Sequence, residues 1–139
     1  MRRALGSGLL GLALTAAVAC SVAGQGTPSA QGWFVLLTPS DGGAASGQVV
    51  VHENGREQWM VMVVLQGLEP QSRRAVQIHS GSCAGAVLFP LEAMVADANG
   101  NGYSNSSLSA TPDASWWIEV SRTESPSESS IACGQVPAS

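Results

Sequence analysis

Residues 47–66 read Gly-Gln-Val-Val-Val-His-Glu-Asn-Gly-Arg-Glu-Gln-Trp-Met-Val-Met-Val-Val-Leu-Gln. Asn54-Gly55 is a strong hairpin signal, because both residue types tolerate positive φ. Apolar residues flank it with a period of two, the period of a strand. Two registers fit. A two-residue turn pairs Val51 with Gln58. A three-residue loop over 54–56 pairs Val51 with Trp59 and Val49 with Val61. The second is preferred, because it puts Val49, Val51, Trp59, Val61, Val63 and Leu65 on one core face; a slip of one residue would turn the set to solvent. Met60, Met62 and Val64 then face outward.

Working outward, the chain reads as further short strands and turns. Before the hairpin, 33–37 is a strand stopped by Pro39, Asp41 and Gly42-Gly43. After it, Gly67 and Pro70 end the strand over 57–66. Strands follow over 73–79 and 88–96, the latter interrupted by Pro90. The run 97–102, Asp-Ala-Asn-Gly-Asn-Gly, is a turn, and strands over 103–108, 116–121 and 131–136 complete the chain. No segment keeps a helical period, and there is no internal repeat. About eight strands at spacings near ten residues predict an all-β fold, an antiparallel Greek-key barrel or sandwich.

The first 31 residues belong to something else. Arg2 and Arg3 precede an uncharged, largely apolar run from Leu5 to Val18, closed by Ala17-Val18-Ala19. This reads as a secretory signal peptide over 1–19, the run being short for a membrane span. Cys20 follows directly, and the arrangement resembles a bacterial lipobox, with Ala17 where Leu is usual. The resemblance implies that Cys20 carries a lipid, so that one partner is the membrane. The other reading is ordinary cleavage before a free cysteine. Residues 20–31 are small, polar and uncharged, a flexible tether; the β-domain is expected over 32–139. The location is extracytoplasmic, secreted or anchored at the cell membrane.

The 139-residue chain carries six arginines, no lysine and ten acidic residues. Without residues 1–19, four basic groups stand against ten acidic ones, a formal charge of −6. Phosphate backbones need clustered positive charge, so nucleic acid is excluded as a partner. Three cysteines are an odd number for a secreted chain. With Cys20 assigned to the lipid, Cys83 and Cys133 are left to pair.

The strands from the middle of the chain carry a family resemblance. Gln66-Gly67-Leu68-Glu69-Pro70 leads into Ala75-Val76-Gln77-Ile78-His79 and Ser80-Gly81-Ser82-Cys83; later come Val95-Ala96-Asp97-Ala98-Asn99-Gly100 and Ile131-Ala132-Cys133-Gly134. This order resembles the Cu/Zn superoxide dismutase family, over roughly residues 33–136. The resemblance implies an eight-stranded Greek-key β-barrel and a Cys83–Cys133 disulfide. The departures bear on function. The family's His-x-His pair is here Gln77-Ile78-His79. The loop that supplies zinc ligands is the short run 84–90, without one. The late copper-binding histidine falls near Ser121, and no basic residue follows Cys133.

Redox copper wants several imidazoles held together, and zinc wants four nitrogen, sulfur or oxygen ligands. The chain has two histidines, His52 and His79. His79 reads better as a hydrogen-bonded residue at a strand end than as a relic metal ligand. His52, Met60 and Met62 on adjacent outward positions form a possible Cu(I) set, although methionines more often fill gaps. The 97–102 turn resembles part of a calcium loop but lacks the later glutamate. Gly81-Ser82 lies near His79 without a Gly-x-Ser-x-Gly elbow. Of Trp116 and Trp117, at most one faces the core. The expectation is therefore no catalytic residue, no metal and no cofactor. What remains is a non-catalytic envelope lipoprotein, structural or binding a protein or glycan. The alternative is copper handling or a divergent dismutase.

Overall fold

The computed structural model describes residues 32–55, 57–125 and 129–137. Cys20 and the stretches expected to be a signal peptide (1–19) and a tether (20–31) lie outside the described residues. Ten strands form: β1 (Gly32–Pro39), β2 (Ser46–Glu53), β3 (Trp59–Gln66), β4 (Arg73–Arg74), β5 (Val76–Ser80), β6 (Val87–Pro90), β7 (Met94–Ala96), β8 (Gly102–Leu108), β9 (Trp116–Ser121) and β10 (Ser130–Gln135). Every pairing is antiparallel. The order β4-β7-β8-β3-β2-β1-β10-β9-β5-β6 makes one curled, half-barrel sheet. The class is all-β, as the alternation predicts. Among the described residues no helix is long and apolar enough to cross a membrane.

The central hairpin has the expected face and a different register. Val51 pairs with Val61 and Val49 with Val63, while Glu53 and Trp59 close the ladder. The connection therefore spans 54–58, not 54–56. The Asn54 N–H donates to the Gln58 carbonyl and the Gln58 N–H to the Gly55 carbonyl; Gly55 and Glu57 both take positive φ. The slip is two residues, one full strand period, so the same six side chains stay inside. Local turn chemistry decides the loop, and alternation cannot count it.

Two expected strands are each split in two. The run 73–79 changes partner at Ala75: β4 pairs with β7, whereas β5 pairs with β9. The Ala75 N–H donates to the Thr123 carbonyl, and its own carbonyl accepts from the Ser121 N–H. The run 88–96 breaks after Pro90 into β6, which pairs with β5, and β7, which pairs with β8. Between them the Ser104 hydroxyl donates to the Glu92 carbonyl at 2.6 Å, and the Glu92 N–H donates to the Ser106 hydroxyl at 2.8 Å. That is why β8 turns serines inward where aliphatic residues would be expected.

The core fills the concave side with Val35, Leu37, Val49, Val51, Val61, Val63, Leu65, Ile78, Met94, Ile118 and Val120, each nearly or fully buried. Trp59 closes one end, stacked on Trp33 with centroids 5.0 Å apart. Trp116 lies in the core against Phe89, and Trp117, one residue on, is half-buried on the opposite face.

Candidate functional site

β5 and β9 pair with Gln77 opposite Glu119, and β10 places Cys133 opposite Glu119 on its other side. Val76, Ile78, Ile118 and Val120 point into the core, so Gln77, His79, Glu119 and Ser121 point the other way. In a one-sided antiparallel sheet that face is solvated. Here all four are buried: Gln77, His79 and Glu119 at 5%, 7% and 3% exposure, and Ser121 completely.

Segment 81–86 lies against the His79 end of this face. Cys83 and Cys133 form a disulfide with Cα atoms 6.2 Å apart, within the ordinary range for such a bond. It ties this segment onto the strand beside Glu119. The Gly81 N–H donates to the Ser115 carbonyl and the Ser80 N–H to the Ala86 carbonyl. His79 Nδ1 bonds the Gly85 carbonyl at 2.8 Å, and only a ring N–H can donate there. A Cβ at Gly85 would run into the Ser80 carbonyl, so the close approach needs glycine.

With Nδ1 committed, Nε2 faces the Glu119 carboxylate at 3.4 Å. That atom and Gln77 Oε1 are buried without a hydrogen-bond partner. The Ser121 hydroxyl lies 3.1 Å from both Glu119 carboxylate oxygens. Burial holds the Glu119 carboxyl above its ordinary range, and Ser121, His79 and Ser130 pull it back only in part. The cluster is thus a buried polar pocket with one imidazole and one carboxyl group.

A titration consequence follows. The folded protein keeps a proton on Glu119 that the unfolded chain releases above its ordinary value of 4.5. This group's contribution to stability is therefore fully present below that value and is lost as pH rises through the raised folded one. In Glu119→Gln the amide still accepts from Ser121 and donates to His79 Nε2. The variant should match wild type near about pH 4 and exceed it by roughly 1 kcal/mol near about pH 8. Urea unfolding at both values measures this; an equal difference at the two would refute it.

The structure brings Gln77, His79, Ser121 and the Cys83–Cys133 bond into one place. Glu119, at the centre, was not singled out in the sequence. Its signal was the alternation Trp117-Ile118-Glu119-Val120-Ser121, a polar face that reads as exposed. His52 is elsewhere: β1, β10 and β9 stand between its strand and that of His79. It lies opposite Met60, whose sulfur accepts a hydrogen bond from Ser107 at 3.0 Å, and Met62 follows on the same face. Asp97 caps its own turn, accepting from the N–H groups of Asn99 and Asn101, which keep its carboxyl below the usual range. Among the described residues no three His, Cys, Asp or Glu side chains gather as a metal-ligand group.

Antiparallel all-β, half-barrel and disulfide-tied is the class that fold and site define. No protein-family model matches the chain, and no curated protein matches it in sequence.

Proposed function

We propose that this chain is an extracytoplasmic lipoprotein, anchored through Cys20, whose superoxide-dismutase-like domain serves a structural or binding role and no catalysis. The carrying observation is the buried cluster. The positions the resemblance assigns to copper ligands hold Gln77, His79 and Ser121, and the free face of the imidazole is turned to Glu119. A lone imidazole with one carboxylate falls short of a redox copper site. The Greek-key reading is supported by two connections: β3 to β4 and β8 to β9 each leave a paired neighbour for a distant place in the sheet. The signal-like run ahead of Cys20 supports export, which also suits the disulfide. A protein or glycan at the envelope is the partner class.

One preparation tests the reading. The protein is isolated from membrane and soluble fractions alongside Cys20→Ser, exposed to copper and zinc, desalted, and assayed for metal and superoxide dismutation. Wild type should fractionate with membranes and Cys20→Ser should not. The desalted protein should hold substoichiometric metal and show no dismutation. One tightly held metal per chain, or an activity lost in His79→Ala, would overturn the non-catalytic part. Equal partition of both proteins into the soluble fraction would overturn the anchor.

A further inference from the structure

We propose that the cavity beside Arg74 binds a small carboxylate, of the size of formate or acetate, on the guanidinium of that residue. This goes beyond the reading above and does not rest on it. Arg74 pairs with Met94, and residues directly opposite in an antiparallel pair share a face. Met94 is fully buried in the core, so Arg74 turns to the inner side of the sheet while Arg73 beside it turns out. The Arg74 Nε atom is buried without a hydrogen-bond partner. Among the described residues the other two arginines are paired, Arg73 with Glu124 and Arg122 with Asp41, and Arg74 is in no ion pair. A buried charge is costly unless paired, and buried donors in native folds almost always have a partner.

The group borders a cavity of about 140 Å³. The loop over 41–45, between β1 and β2, makes one wall, and the loop over 67–69, after β3, makes another. A Cβ at Gly67 would run into the Ala44 carbonyl, so the two loops pack closely and the walls are fixed. Arg122, just after β9, and Ile131 of β10 border the cavity as well. Ala45, Leu68 and Ile131 are buried aliphatic side chains. The cavity therefore joins a cationic end to an apolar wall.

Charge and size select the ligand. A guanidinium presents its N–H groups in a planar fork that matches the two oxygens of a carboxylate. Asp41 is already committed: its carboxylate accepts from the Gly43 N–H at 2.8 Å and from Arg122 at 2.9 Å. Glu69 borders the cavity too, but it is exposed and forms no ion pair with Arg74. Two carboxylates at the rim repel a dianion such as phosphate more strongly than a monoanion. At roughly 30 Å³ per water-sized unit the volume takes about four or five non-hydrogen atoms, the size of acetate. The apolar wall receives its methyl group. Arg74 also stands on an edge strand, where an inward charge discourages pairing with another sheet. That role alone predicts no saturable binding.

The test is NMR of the nitrogen-15-labelled full chain carrying Cys20→Ser, titrated with sodium acetate or sodium chloride at one fixed ionic strength. The Arg74 Nε–H signal, identified by its loss in Arg74→Lys, should move to saturation with acetate at a Kd on the order of 1 mM. The backbone amides of Ala44, Ala45 and Leu68 should move with it, and chloride should move none of them. Arg74→Lys keeps the charge and loses the fork, so it should keep its circular dichroism and bind at least about 10-fold more weakly, read at the same three amides. Arg74→Met removes the unpaired charge and should bind no acetate. No saturable shift up to about 100 mM acetate overturns the proposal. So does an equal response to chloride, or an Arg74→Met variant that still binds. Tighter binding of phosphate than of acetate assigns the site to phosphate and overturns it equally.

Discussion

Replacing Cys83 and Cys133 together by serine is expected to lower the stability of the domain by about 2–5 kcal/mol. The bond joins positions 50 residues apart. For a loop of that length the chain-entropy model assigns about 4 kcal/mol to the restricted unfolded state. A domain of this size has only about 5–15 kcal/mol in total, so the loss is large. There is a local effect as well. The bond ties segment 81–86 to the strand beside Glu119, and His79 bonds the Gly85 carbonyl; without the bond the segment is freed and water should reach His79. Trp117 lies opposite His79 and should report the opening by a red-shifted fluorescence. Guanidinium unfolding under non-reducing conditions gives the measurement. A midpoint equal to that of wild type would remove the disulfide from any structural role.

Trp59→Ala is expected to cost about 3–5 kcal/mol. Trp59 is 5% exposed, begins β3 opposite Glu53 and Leu108, and stacks on Trp33. Truncation leaves a cavity at the end of the half-barrel and strips the partner from Trp33, which is otherwise only half-covered. Trp59→Phe keeps a ring in the site and should cost less than half as much. Unfolding of both variants in urea separates the explanations. A loss under about 1 kcal/mol for the alanine variant would show that the site collapses around the gap.

Much of this was readable from residue order. Strand alternation needs only the two-residue period of the pleat, so the inward set Val49, Val51, Trp59, Val61, Val63 and Leu65 and the all-β class follow from sequence. Cysteine arithmetic left Cys83 and Cys133 to pair, as they do. The composition of the first twenty residues determines the export and anchoring expectation.

Tertiary structure decided the rest, because it concerns partners distant in the chain. The hairpin register depends on how Asn54, Gly55 and Gln58 spend their hydrogen bonds, and a shift of two leaves the alternation unchanged. The breaks at Ala75 and after Pro90 exist because the sheet curls and each half of the run finds a different neighbour. Glu119 is the clearest case. On sequence it is a polar residue on the solvated face of a strand; in the fold it is 3% exposed, beside His79, Ser121 and Cys133, and that burial raises its pKa. Burial is made by what packs around a side chain, and His79 and Cys133, which flank Glu119, come from distant parts of the chain.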